Sequence, residues 1–313
     1  MKKNLSLRLV SVLIAVACFY LSACTALPPN QQAVASSAKP ETTPPKSIPK
    51  PVIALALGGG GAKGFAHIGV IKALEAQGIV PDIVIGTSAG SVVGALYASG
   101  MTGFELQELA IPFSEGGITD IGLPDRGLLK GEALARFVNV AVRNQPIEKL
   151  PKKFGAVATK LATGEAVVFR SGDTGIATRA SSSVPSIFRP VVISGSDYVD
   201  GGLVSPVPIN LARQMGANFV IAVDISDLPI NGKTISTIDI FWQTQAIMTQ
   251  AVINAEVANA DVVIRPDTRN LTSVDFKNRN LAILEGEKAV ARELTDLKLR
   301  LARFPDGLAQ RKP

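Results

Sequence analysis

The chain has 313 residues, of which 47% are hydrophobic, 19% are charged and 5% are aromatic, and its formal net charge is +6. This composition allows a sizeable buried core and excludes global disorder. Scarce aromatic residues and interleaved charges also exclude a stacking or strongly basic surface for nucleic acid. We therefore expect a globular protein that does not bind nucleic acid.

Residues 1–23 have the pattern of an export signal. Three basic residues near the start precede an apolar run over residues 9–23, which suits a signal-peptide core and is short for a membrane span. The run ends in Leu-Ser-Ala-Cys, which resembles the bacterial lipobox, whose cysteine receives lipid. We therefore predict a lipoprotein signal peptide over residues 1–23 and lipidation of Cys24, with an uncleaved membrane anchor as the alternative.

Residues 24–51 are predicted to form a disordered tether that joins the lipid to the folded domain. Residues 25–51 contain seven prolines and no apolar periodicity, a composition typical of extended linkers. Thr25, rather than Asp, follows Cys24. In a Gram-negative host the lipobox resemblance then implies an exported, membrane-anchored lipoprotein on the periplasmic face of the outer membrane.

From residue 52 onward, short apolar runs alternate with helical stretches. This alternation is typical of an α/β domain with a largely parallel sheet. The predicted strands cover residues 52–57, 83–85, 154–161, 166–170, 219–224 and 261–265, and the predicted helices cover residues 65–77, 88–99, 209–215, 238–260 and 281–303.

The pentapeptide Gly86-Thr87-Ser88-Ala89-Gly90 fits the pattern Gly-x-Ser-x-Gly. In a nucleophile elbow the serine lies on a sharp turn between a strand and a helix, and side chains at both glycine positions would collide with neighbouring backbone. A predicted strand leads into this pentapeptide and a predicted helix follows it. We therefore predict that Ser88 is a nucleophile; the alternative is a tight turn in which Ser88 caps the helix.

A glycine-rich loop over residues 58–64 lies between the first predicted strand and its helix. Gly59, Gly61 and Gly64 match the dinucleotide pattern Gly-x-Gly-x-x-Gly, but the second strand lacks the acidic residue that would bind a ribose. The alternative is a nest of backbone N–H groups that binds an anionic oxygen. In an acyl hydrolase that anion is the oxyanion of the tetrahedral intermediate.

A serine nucleophile needs a base, and two residues are candidates. His67 is the single histidine of the chain and stands between apolar neighbours, where a packed structural role is the common outcome. Asp200 precedes Gly201 and Gly202, and a carboxylate can act as the base where burial raises its pKa. An ordinary Asp-Gly turn is the alternative for Asp200.

Together, the glycine loop, Gly-x-Ser-x-Gly, the segment 180–188 and Asp-Gly-Gly resemble the patatin-like phospholipase family in order and spacing. The resemblance implies a three-layer α/β sandwich with a mostly parallel sheet. It further implies a catalytic domain over residues 52–217, with residues 218–313 as an extension that packs on it. The site residues carried over are the nucleophile Ser88, the proton acceptor Asp200, the oxyanion-hole backbone of Gly59, Gly60 and Gly61, and the motif glycines Gly64, Gly86, Gly90, Gly201 and Gly202.

The function implied is a serine acyl-ester hydrolase of the phospholipase, lysophospholipase or esterase type, with a lipid or acyl ester as its substrate. One histidine and two cysteines argue against a metal site by ligand count, and we expect no cofactor. A catalytically silent lipid-binding or signalling module on the same fold remains an alternative, as does a nucleotide-binding protein that uses the glycine loop. The sequence does not predict the oligomeric state.

The last predicted helix, residues 281–303, carries apolar side chains at helical spacing with charged residues between them. We expect this stripe either to pack on the α/β core or to dock on a bilayer beside the active site.

Overall fold

The computed structural model describes residues 50–113, 116, 120–121, 126–226, 229, 234–274 and 276–304. The predicted signal peptide, Cys24 and the tether up to residue 49 lie outside these residues. The described residues belong to one compact unit that begins near residue 50. Within the described ranges no helix is both long enough and apolar enough to cross a membrane.

A central sheet of eight strands organises the part of the chain that is described. In chain order, the strands of the structure are β1 (Ile53–Leu57), β2 (Ile83–Thr87), β3 (Gly127–Leu129), β4 (Lys153–Lys160), β5 (Glu165–Phe169), β6 (Ser186–Phe188), β7 (Val191–Ile193), β8 (Ser196–Asp200), β9 (Phe219–Val223) and β10 (Val262–Ile264). The order across the central sheet is β10-β9-β1-β2-β4-β8-β7, and β5 pairs with β4. Strands β10, β9, β1, β2 and β4 are parallel to one another, whereas β5, β7 and β8 are antiparallel to their partners. Strands β3 and β6 form a separate parallel pair.

Helices cover both faces of this sheet. They are α1 (Phe65–Ala76), α2 (Ala89–Ala98), α3 (Gly103–Ala110), α4 (Glu132–Ala141), α5 (Thr174–Ser181), α6 (Ile209–Gln214), α7 (Thr237–Glu256) and α8 (Arg279–Ala302). Alternate side chains of β1 point to opposite faces, as the strand period requires. Leu55 and Leu57 join the apolar core formed with α1, α2 and α8, whereas Ala54 and Ala56 join a second core with α6 and the end of α7. The predicted three-layer sandwich is therefore confirmed.

Each predicted strand and helix is present, with ends displaced by a few residues. Helices α3, α4 and α5 and the short strands β3, β6, β7 and β8 were not predicted from the sequence. A local signal for α3 was available, because Thr102 and Glu105 form a capping box at its start. The short strands carry too few residues for a periodic pattern to show.

Helix α8 packs directly on α1, and the two helices cross at a pair of glycines. A methyl group at Gly69 would overlap the carbonyl oxygen of Ile283, and one at Gly286 would overlap the carbonyl oxygen of Ala66. Beyond this crossing α8 buries Val290 and Leu297, and Leu294 packs on the same core, while Leu281 and Leu284 are exposed. Most of the apolar stripe predicted from the sequence therefore packs on the core, and only its first turn is exposed.

Candidate active site

Ser88 lies where β2 passes directly into α2, and its backbone is strained. Its φ is 53° and its ψ is −125°, an uncommon conformation for a residue with a side chain. A methyl group at Gly86 would overlap the carbonyl oxygen of Gly90, and one at Gly90 would overlap that of Leu57. The steric requirement for glycine that was expected at both positions is therefore present. We call residues 86–90 the Ser88 elbow.

The backbone of Ser88 is held on both sides. Its N–H donates a hydrogen bond to Ser181 Oγ at 2.9 Å. Its carbonyl oxygen accepts from the Ser91 amide at 2.8 Å and from Ser91 Oγ at 2.7 Å. Ser181 and Ser91 are both fully buried, so these contacts are shielded from competing water. They hold the strained turn in one conformation.

Asp200 ends β8 and faces Ser88. Its carboxylate accepts a hydrogen bond from the Gly202 amide at 2.7 Å and lies close enough to the Ser88 side chain for that hydroxyl to lower its pKa. Burial raises the pKa of Asp200 from 3.8 to about 6, although the Gly202 amide and the Ser88 hydroxyl act in the opposite direction. The backbone is fixed as well, because Thr159 Oγ1 donates to the Asp200 carbonyl oxygen at 2.8 Å.

The residues after Asp200 form a 3₁₀ turn, Gly201–Leu203, and not a hairpin turn. A methyl group at Gly201 would overlap the carbonyl oxygen of Val157 in β4. Only a glycine therefore lets this turn lie against the sheet. The tight turn also directs the Gly202 amide back to the Asp200 carboxylate.

The glycine loop lies beside the Ser88 elbow, but its amides differ in availability. The Gly59 amide donates to the carbonyl oxygen of Pro206 at 3.0 Å. The amides of Gly60 and Gly61 have no acceptor among the described residues. A Cβ built on Gly59 would lie 3.3 Å from Ser88 Cβ. Two of the three predicted oxyanion donors thus have no acceptor among the described residues, and the third is engaged.

Steric contacts with neighbouring segments fix the position of this loop. A methyl group at Gly61, whose φ is +58°, would overlap the carbonyl oxygen of Ser273. A Cβ at Gly64 would lie 2.8 Å from Ala89 Cβ, at the start of α2. The glycine loop is therefore held between Ser273 on one side and the Ser88 elbow on the other.

His67 is hydrogen-bonded to the glycine loop and not to Ser88. It is fully buried in α1, and its Nε2 lies 2.8 Å from the carbonyl oxygen of Gly58, which makes Nε2–H the donor. Burial lowers the pKa of His67 from 6.5 to about 4, so the ring is neutral near pH 7. Its Nδ1 has no hydrogen-bond partner among the described residues. These contacts agree with the structural role considered for His67.

An apolar cavity of about 400 Å³ opens at Ser88, Asp200 and the glycine loop. Its apolar lining comes mainly from α2, α3, α4 and α7 and from the segments beside them. Members of this lining are Val92, Leu96, Leu106, Leu109, Phe113, Phe137, Trp242 and Ala246. Few polar groups face it apart from the site itself. The cavity can take a long hydrocarbon group whose polar end reaches Ser88.

Sequence reasoning missed two serines that the structure brings to this site. Ser181 fixes the Ser88 amide, and Ser182 lines the cavity with a buried Oγ that has no partner among the described residues. Both lie in the segment 180–188, whose run of serines was the available signal. In the same described ranges, no group of three or more His, Cys, Asp or Glu residues is placed to hold a metal ion.

The chain folds as a three-layer sandwich, and a strained serine lies between strand and helix next to a buried carboxylate. This is the architecture of α/β serine hydrolases. The family model for patatin-like phospholipases matches residues 55–213, just over half of the chain. The chain belongs to the patatin-like phospholipase family.

Curated relatives and a solved structure resemble the chain over this region. An uncharacterised NTE family protein of Mycobacterium tuberculosis is 36% identical over 179 residues, covering 56% of this chain and 49% of the relative. Human patatin-like phospholipase domain-containing protein 6 is 33% identical over 204 residues, which are 61% of this chain and 15% of that protein. The chain thus matches half or less of each relative's length. The crystal structure of VipD from Legionella pneumophila has a TM-score of 0.57 at 14% identity and covers 79% of this chain and 67% of that one, which is a likeness of fold.

Proposed function

We propose that the protein hydrolyses acyl esters of lipids, with Ser88 as the nucleophile and Asp200 as the proton acceptor. The observation that carries this proposal is a strained serine beside a desolvated carboxylate at the end of an apolar cavity. Membership of the patatin-like phospholipase family supports a lipid as the substrate.

In the proposed acylation step, Ser88 Oγ attacks the ester carbonyl carbon while Asp200 takes the hydroxyl proton. An aspartate whose pKa is about 6 accepts a proton more readily than an ordinary aspartate. The amides of Gly60 and Gly61 donate to the oxyanion, and each such donor is worth about 3 kcal/mol. The C–O ester bond then breaks, and Asp200 returns the proton to the leaving alcohol.

Deacylation reverses these roles. Water attacks the carbonyl carbon of the acyl-enzyme, Asp200 takes a proton from the water, and Ser88 leaves with that proton as the fatty acid is released. The Gly202 hydrogen bond keeps the Asp200 carboxylate in place through both steps. The N-terminus of α2, directly after Ser88, adds the positive end of a helix dipole near the developing negative charge.

The acyl group of the substrate would occupy the cavity. Leu96 lies eight residues after Ser88 in the chain, so the lining along α2 extends for about 12 Å at 1.5 Å per residue. Leu106 and Leu109 of α3 line the cavity together with it. A wall of this kind favours a long acyl chain over a short polar one.

The sequence also supports a proposal for where the protein acts. We propose that Cys24 is lipidated after removal of residues 1–23, and that the protein is held at the periplasmic face of the outer membrane in a Gram-negative host. Support comes from the lipobox-like sequence alone. The Cys24→Ser protein should lose labelling by radioactive palmitate, and normal labelling would refute the anchor.

An active-site-directed fluorophosphonate tests the proposed nucleophile. The probe should label the wild-type protein at Ser88, and Ser88→Ala should not be labelled. Ser99→Ala is the matched control, because Ser99 lies at the far end of the same helix and its side chain donates to the Leu96 carbonyl oxygen. A folded wild-type protein that neither reacts with the probe nor hydrolyses any acyl ester would instead support a catalytically silent lipid-binding module.

A further inference from the structure

Helix α7 has an unusual composition for a helix at the surface. Residues 240–255 contain no Asp, Glu, Lys or Arg, although 19% of the whole chain is charged. The helix nevertheless stays too polar to cross a membrane, because Gln, Thr and Asn alternate with its apolar residues.

Opposite faces of α7 have different surroundings. Trp242, Ala246 and Thr249 are spaced three to four residues apart and line the cavity. The opposite face carries exposed side chains that include Ile240, Ile247 and Met248. Ile247 and Met248 are each 53% exposed, which is large for apolar side chains. Helix α7 therefore covers the cavity with one side and shows an uncharged, mostly apolar surface with the other.

This outer face of α7, residues 240, 244, 247, 248 and 251, is next to the opening of the cavity. Trp242 near the start of α7 is partly exposed, and Val274 is 64% exposed, while both also line the cavity. Among the described side chains, α7 packs on the apolar core below the sheet in its last turns, through Ile253. Its earlier turns line the cavity, and α7 also contacts the turn Gly201–Leu203. Whatever covers the outer face therefore also lies beside the entrance to Ser88.

A second copy of the chain fits this face poorly, because five side chains on one helix are far fewer than the roughly 20 residues a side of a stable interface. A bilayer fits it better. The neutral Thr244 can lie at the level of the headgroups while Ile and Met enter the acyl region. The 49 residues ahead of the described part include the apolar run and Cys24, and residues 25–51 could reach about 80 Å if extended. An anchor of that length allows the outer face of α7 to meet the membrane.

We infer that the outer face of α7 docks on the surface of a lipid bilayer and brings the cavity entrance to the substrate. The inference rests on the proposed function in that the bilayer supplies the lipid. Because α7 carries no charge over this face, docking depends on apolar burial and not on anionic lipid. The N-terminal lipid holds the protein near the membrane, and α7 sets its orientation.

Trp242 is the single tryptophan of the chain and serves as the probe. The full-length protein is reconstituted in phosphatidylcholine vesicles whose acyl chains are brominated, and tryptophan emission is compared with that in unbrominated vesicles. We expect emission at least about twofold lower in brominated vesicles, since interfacial helices bury about 5–10 Å deep. The effect should be the same with added phosphatidylglycerol and at low or high salt.

The substitution pair Ile247→Glu and Met248→Glu puts charge on the outer face without touching the cavity lining. It should abolish the quenching and lower hydrolysis of vesicle lipid at least about tenfold, while turnover of a soluble short-chain ester stays unchanged. Leu299→Glu on α8 is the matched control, because Leu299 is also about half exposed, at 49%. Where the glutamate pair fails to fold by circular dichroism, Ile247→Gln with Met248→Gln takes its place.

Three results would overturn the inference. One is unquenched Trp242 in a wild-type protein that hydrolyses soluble esters, which would leave the proposed function standing. Another is equal quenching in the glutamate pair, which would show that lipid reaches Trp242 through the cavity without docking of α7. The third is a dimer that the glutamate pair converts to a monomer in sedimentation, which would assign the outer face to a second copy of the chain.

Discussion

Two regions of the molecule depend on glycine for the same physical reason, but only one is recognisable in the sequence. At the Ser88 elbow, Gly86 and Gly90 let two backbone segments touch, and at the crossing of α1 and α8 Gly69 and Gly286 do the same. The elbow glycines are four residues apart and form a motif. The crossing glycines come from opposite ends of the domain, and no local pattern joins them. Close backbone packing is therefore visible from sequence only where it is local.

The largest expected effect is the loss of turnover when the catalytic residues themselves are replaced. Ser88→Ala should lower kcat by about 10⁴-fold or more, because it removes the nucleophile that forms the acyl-enzyme. Asp200→Asn should be nearly as damaging, since the amide cannot take the proton. His67→Gln should keep most of the turnover per folded molecule, because Gln can still donate to Gly58. Kinetics on a short acyl ester, with circular dichroism beside them, check these ranks; a stronger loss in His67→Gln than in Asp200→Asn would indicate a Ser-His site.

A second comparison tests the two glycine pairs directly. Gly90→Ala should abolish activity, because displacement of Leu57 would move the glycine loop away from Ser88. Gly286→Ala should lower the free energy of unfolding by about 1–3 kcal/mol, the usual cost of overpacking, with activity per folded molecule retained. Urea unfolding and active-site titration measure the two quantities. Loss of activity in a stable, folded Gly286→Ala protein would show that the crossing also positions the site.

His67 and Asp200 should have opposite effects on stability as the pH changes. The His67 pKa falls to about 4 on folding, so below pH 6.5 the unfolded chain binds the extra proton, and this contribution to stability rises with pH. The Asp200 pKa rises to about 6, so above pH 3.8 the folded chain holds the extra proton, and this contribution falls with pH. The two contributions largely cancel between pH 4 and 6.

Single substitutions should remove that cancellation. The quantity to compare is the free energy of unfolding of each variant minus that of the wild type, between pH 4 and 6. For His67→Gln this difference should fall with rising pH by up to about 3 kcal/mol. For Asp200→Asn it should rise by a similar amount. Urea titrations at several pH values give the slopes. Parallel profiles for all three proteins would contradict the assignment of these pKa shifts.

Activity should decline below pH about 6 as Asp200 becomes protonated.

The smallest effect is expected at Gly78, where a side chain would have space but the backbone φ is unusual for a residue other than glycine. At Gly78 φ is +70°, and a methyl group at this position would meet no atom within 4 Å. Gly78→Ala should therefore cost about 1–2 kcal/mol of unfolding free energy through backbone strain alone, with no change in kcat. This variant separates the cost of conformation from the cost of overlap. A loss of kcat in the folded Gly78→Ala protein would contradict a purely conformational cost at this position.

Sequence reasoning reached the parts of the fold where hydrophobic pattern and turn residues agree. The parallel core strands, the helices that follow them and the position of Ser88 were all predicted, because each has a local signal. It was not predictable that the Gly59 amide is already engaged, since its acceptor, the Pro206 carbonyl oxygen, lies in a distant turn. The close crossing of α8 with α1 was also missed, because Gly69 and Gly286 make it and glycines contribute nothing to an apolar stripe.

The position of β9 has a consequence for how the chain can be divided. Strand β9 pairs with β1 along its whole length, and the Val223 carbonyl oxygen accepts from the Gly58 amide, yet β9 lies beyond residue 213, where the family match ends. A fragment cut there would leave β1 as an open edge strand and would remove the support of the glycine loop. The segment by which the family is recognised is therefore smaller than the unit that must fold cooperatively.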